Sequence, residues 1–154
     1  MTQTNTSATL PALVIRRTFD VPRERLWAAW TDPAQMTQWM GPSDFTIPNI
    51  EFDPRVGGRY RFTMRAPDGE GYVVGGEYRE IVPPAKLVYT WQWEEDPPEV
   101  GDVTLVTVEF HDRGGKTELV LTHDQFAKAD SRDRHEDGWN RTFDKLAAYV
   151  AKGA

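Results

Sequence analysis

The chain of 154 residues contains no cysteine. That excludes disulfides, thiolate nucleophiles and Cys-ligated zinc. It also lacks an excess of positive charge: 18 Lys and Arg against 24 Asp and Glu leave a net charge of −6, which disfavours nucleic acid and anionic membrane as partners. No apolar run approaches the ~20 residues of a membrane span. The opening MTQTNTSATLPA has neither a basic n-region nor an apolar h-region, so residues 1–12 are expected to be a short disordered lead and not a signal peptide. The cytoplasm is the default compartment. There are only three histidines, and their spacing fits no standard metal motif, so neither a metal nor another cofactor is expected. The glycine pairs at 57–58, 75–76 and 114–115 precede no helix, which makes a phosphate cradle improbable and leaves turns or bulges. No strand–turn–helix elbow supports a Ser-His-Asp arrangement.

Aromatics, by contrast, are plentiful: six Trp, five Tyr and seven Phe. LVIRRTFD (13–20) alternates and predicts a strand. Pro22 opens a short helix whose Leu26, Trp27 and Trp30 share a face. Asp32-Pro33 is a cap and first-turn proline for a second short helix, with Met36, Trp39 and Met40 on its apolar face and Gly41-Pro42 as its stop. Six strand-like segments follow, FTIPNIEFD, GRYRFTMRAP, GYVVGGEYREI, KLVYTWQW, DVTLVTVEFHD and KTELVLTHD, separated by short turn signals such as Pro67-Asp68-Gly69, Pro83-Pro84, Pro97-Pro98 and Gly114-Gly115. A long helix over roughly 132–151, with Asp130-Ser131 as its N-cap, carries Trp139, Phe143, Leu146, Ala147 and Val150 on one face. This order predicts an α+β fold: one domain over 13–151, a seven-stranded antiparallel sheet wrapped around a long C-terminal helix, and two short helices between strands 1 and 2.

The stretches RTFDVPRERLWAAWTDPAQMTQWMGP, DPRVGGRYRF, GEYREIVPPAKLVYTW, TLVTVEF, LTHDQF and HEDGW together resemble the START-like, or SRPBCC, superfamily. Within it they resemble the branch named after the activator of heat-shock-protein-90 ATPase. Where that branch commonly has two tryptophans before Gly-Pro, this chain has Trp39 and Met40. The resemblance implies the helix-grip fold, with a cavity between sheet and long helix for lipids or other hydrophobic, often aromatic, molecules. It also implies two further classes, cyclase-like enzymes and a chaperone-type protein partner.

Strand parity supports such a site independently. Tyr60, Phe62 and Met64 share a face, as do Leu87, Tyr89, Trp91 and Trp93, and Leu119, Leu121 and His123. In an antiparallel meander the strands carrying Met64, Trp93 and His123 end at one rim, where Tyr72 begins its strand and the long helix brings His135 and Trp139. The candidate ligand-binding residues are therefore Trp39, Phe62, Met64, Tyr72, Tyr89, Trp91, Trp93, His123, His135 and Trp139. A solid aromatic core is the competing reading. An enzyme of cyclase, hydratase or lyase type would use His123, His135 or a tyrosine as acid–base group. A homodimer and a protein partner stay open.

Overall fold

The computed structural model describes residues 10–42, 44–94 and 103–152. Its elements run β1 (Leu13–Phe19), α1 (Arg23–Thr31), α2 (Pro33–Trp39), β2 (Ile50–Phe52), β3 (Arg59–Arg65), β4 (Gly71–Val82), β5 (Lys86–Trp93), β6 (Val103–Asp112), β7 (Thr117–Asp124) and α3 (Ala129–Ala151). All strands pair antiparallel in one sheet of order β1-β7-β6-β5-β4-β3-β2. The first strand thus returns to the last, with Leu13 opposite His123 and Phe19 opposite Thr117. α3 and the two short helices cover one face, giving the helix-grip architecture.

Local chemistry accounts for most boundaries. The Asp32 carboxylate accepts from the Ala34 N–H at 3.1 Å and caps α2, with Pro33 in its first turn. The helix stops where Gly41 turns to a φ of +89°. The expected second strand, 45–53, shrinks to three residues preceded by a lone Thr46–Arg65 bridge. Pro48 lies between them and has no N–H for a ladder. The expected cap at Asp130-Ser131 is also corrected. α3 begins a turn earlier, at Ala129, behind Lys128, and Asp130 Oδ1 only accepts from the adjacent Ser131 N–H. The Arg132 N–H reaches the Lys128 carbonyl at 3.2 Å, so the helical ladder is under way before the expected cap.

Of the expected lead, residues 1–9 lie outside the described residues, as does the Pro97-Pro98 turn. Leu10 packs partly against the core and the Pro11 carbonyl accepts from Arg132. Gly75 and Gly76 are not a turn but the interior of β4. A Cβ on Gly76 would stand 2.0 Å from the Thr90 carbonyl oxygen. The missing side chain is what lets β4 and β5 close there. The strand parities hold: Tyr60, Phe62, Met64, Leu87, Tyr89, Trp91, Leu119, Leu121 and His123 are all buried, together with Trp139, Phe143, Leu146 and Val150 of α3. Among the described residues no helix is long and apolar enough to cross a membrane.

Candidate functional site

The buried tryptophans form a connected layer between helices and sheet. Trp30 on α1 lies 4.7 Å from Trp39 and stacks at 6.3 Å on Trp139 of α3, ring centroid to centroid. Trp139 in turn lies 5.2 Å from Trp91 on β5, and Trp91 5.7 Å from Trp93. Period-two spacing on β5 aims Trp91 and Trp93 to the same side, and helical spacing on α3 brings Trp139 over them. Trp39 works differently from the others. It is completely buried, and its indole N–H donates to the Ala29 carbonyl at 3.0 Å, tying α2 to α1.

At the rim the two histidines meet, ring centroids 5.3 Å apart. His123 sits on β7, with no exposed surface. Its Nδ1 accepts the Trp139 indole N–H at 3.1 Å. That leaves the proton on Nε2, which donates to Thr104 Oγ1 at 2.7 Å, and the Thr104 hydroxyl donates onward to the Trp91 carbonyl at 3.0 Å. His135, one turn before Trp139, accepts the Trp93 indole N–H on Nε2 at 3.0 Å and donates from Nδ1 to the Ser131 carbonyl at 2.7 Å. Both rings are thus neutral, with complementary tautomers. Burial pushes His123 well below the usual imidazole range, and the neighbouring His135 adds to this. Burial also lowers His135, against the Ser131 carbonyl bond, which favours the charged ring. Phe126 lies 4.4 Å from His123 and 5.0 Å from His135, shielding both.

Two voids flank Trp91. The inner one, about 10 Å³, is lined by Trp30, Met36, Met40, Tyr60, Phe62, Tyr78, Leu87, Tyr89 and Trp91. The outer one, also about 10 Å³, lies between Trp91, Trp93, Thr104, Phe126, Ser131 and His135. Each has room for about one water molecule. Burial holds the phenols of Tyr60, Tyr89 and Tyr78 protonated, with Tyr60 pushed further up by its two tyrosine neighbours.

Of the ten residues expected from sequence, the structure gathers Phe62, Tyr89, Trp91, Trp93 and His135 around these voids, with His123 and Trp139 directly behind. Trp39, Met64 and Tyr72 line neither; Met64 and Tyr72 pair across β3 and β4, where Tyr72 leans on Phe45. Sequence reasoning read Trp30, Met36 and Met40 only as helix faces of the core, though all three line the inner void, and it missed Tyr78, Thr104 and Phe126. Of these last three, parity bears on Thr104 and Tyr78, since Thr104 is in step with the buried Val106 and Val108, and Tyr78 with Val74. Phe126 had no periodic signal. Gln125, at a φ of +71°, turns the chain back just before it. Among the described residues no group of three His, Asp or Glu side chains is gathered in a metal-binding arrangement.

A model of the family described as activator of Hsp90 ATPase homolog 1-like protein matches residues 20–151. The chain is similar to the AHSA1 protein of Silicibacter pomeroyi, with 30% identity and a TM-score of 0.84 over 93% of this chain and 99% of that one. It is similar also to a protein of Chromobacterium violaceum, with 26% identity and a TM-score of 0.82 over 91% and 96% of the two chains. A protein of Arthrobacter aurescens shares the fold at 21% identity, with a TM-score of 0.81 over 97% and 90%. Comparison with curated proteins gave no match.

Proposed function

This chain belongs to the family of activator of Hsp90 ATPase homolog 1-like proteins, and on that premise we propose that it binds a small hydrophobic molecule, aromatic or lipid-like, between the concave face of the sheet and α3. The observation that carries the reading is the position of Trp91. Trp91 is the one side chain that lines both the inner void and the outer one, so it stands between the interior and the rim. The lining of the inner void includes Met36 and Met40, unbranched side chains that refill space at low cost. A ligand enters by displacing these groups, and the aromatic rings that line the void then stack on it. Burying ~200 Å² of apolar ligand surface contributes about 5 kcal/mol before association costs. Micromolar affinity is in range.

The enzyme reading draws less support from the geometry. The acceptor nitrogen of each imidazole already takes an indole proton, so neither ring offers a free base while these bonds stand. The compartment proposed is the cytoplasm, the default from the sequence.

Native mass spectrometry of the protein as purified tests the binding reading. A co-purified molecule released on denaturation is expected, as is a saturable tryptophan fluorescence change on titration with flat aromatics or fatty acids. No co-purified molecule, and no compound binding more tightly than about 1 mM, would leave the solid core as the better account.

A further inference from the structure

Five of the six tryptophans have described indole N–H environments that divide sharply. Trp39, Trp93 and Trp139 each donate to a protein acceptor. Trp30 and Trp91 are 1% and 4% exposed, and neither indole N–H has an acceptor within the protein. Buried donors are almost always paired, and an unpaired one calls for an explanation. Both of these residues line the same inner void.

The rest of that lining decides the charge of what fits. No lysine, arginine or histidine borders the void. Its polar groups are two indoles and three phenols, and Tyr60 already donates its hydroxyl to the Thr90 carbonyl. Lys145, partly buried on α3, is held by the carbonyls of Met40, Pro42 and Phe45. A carboxylate placed in the void would be buried without a counter-charge. A pure hydrocarbon would leave both indole donors unpaired, and a site built to hydrogen-bond a ligand discriminates strongly against an analogue lacking the group.

Resting on the binding reading above, we infer that the ligand is a neutral molecule with an apolar body and an uncharged hydrogen-bond acceptor, a ketone, ester or ether oxygen, held by the indole N–H groups of Trp30 and Trp91. The methionine wall accommodates the apolar body, and the acceptor fixes its orientation.

Three small probes of nearly one shape separate the cases: acetophenone, cumene and benzoate. Each is titrated into ¹⁵N-labelled protein, and the indole N–H resonances are followed. Affinities are compared after allowing for each probe's water–octanol partition. Acetophenone is expected to shift the Trp30 and Trp91 indole protons downfield saturably, and Trp91→Phe to weaken its binding about tenfold more than it weakens that of cumene. Trp30→Phe gives the same result from the other donor, and the wild-type shifts decide if either variant fails to fold. Benzoate is expected not to bind. If acetophenone binds without moving those two resonances, or benzoate binds as tightly, this inference falls and the binding reading stands. If a bound water shows persistent cross-peaks to both indoles in the acetophenone complex, water is the acceptor and the inference again falls. If none of the three binds and no molecule co-purifies, the binding reading falls and takes this one with it.

Discussion

The indole N–H of Trp93 points at Nε2 of His135, and the 3.0 Å bond exists only while that nitrogen is unprotonated. Acid would place two donors face to face.

Stability should therefore fall in acid. His123 and His135 both have imidazoles depressed below the ordinary 6.5. Below that value the unfolded chain binds more protons than the folded one, so stability is complete above about pH 6.5 and decreases as pH drops toward the folded values. Urea melts from pH 8 to pH 5 should show this loss, and His135→Gln should flatten part of the slope. A stability curve level through pH 6 would contradict the assignment.

Thr104 links His123 to the Trp91 carbonyl. Thr104→Val keeps the shape and leaves the buried Nε2–H of His123 without its acceptor. The expected cost is about 1–3 kcal/mol in denaturant unfolding, with Thr104→Ser recovering most of it. Equal losses for Val and Ser would point to packing alone.

Lys145 holds three carbonyls of the segment that leaves α2, at 3.1, 3.4 and 3.0 Å. Lys145→Met retains the aliphatic stem and strands those oxygens. We expect a loss of roughly 1.5–3 kcal/mol, and faster hydrogen exchange localised to residues near Phe45.

Gly76 and Gly57 give a matched pair. Alanine at 76 meets backbone at 2.0 Å, whereas at 57 nothing lies within 4 Å and only the φ of +84° objects. Gly57→Ala should cost about 1–2 kcal/mol. Gly76→Ala should cost more than ~4 kcal/mol or yield insoluble protein. Similar melting behaviour for the two would refute the close approach of β4 and β5.

The sequence made most of these elements readable because each carries its own period. β3 and β5 alternate residue by residue, and the stripe from Trp139 to Val150 repeats at helical spacing. Strand parity, the alternating direction of a meander and helical spacing together brought Trp91, Trp93, His123, His135 and Trp139 to one end. What stayed hidden was set by contacts distant in sequence. The outer place of β1 beside β7 leaves no mark in either strand. Pro48 was visible, yet its effect on β2 depended on which neighbour needed an N–H. Phe126 reaches the histidines through a single left-handed residue outside any periodic segment. That Trp39 ties two helices together follows from the partner of its N–H, and that Trp91 borders both voids follows from what packs around it, neither of which residue type can reveal.

The pairing of Leu13 with His123 has a consequence for how the chain is made. On the ribosome β1 emerges early and must wait for β7, while β3, β4 and β5 can zip together as each hairpin clears the exit. Residues from Lys145 onward then arrive to fasten the segment behind Met40. Until α3 arrives, the face of Trp30 that stacks on Trp139 lacks its cover. Closing the sheet is accordingly the capture of β1 by the much later β7, and long-range closure of that kind is slow and exposes apolar surface meanwhile.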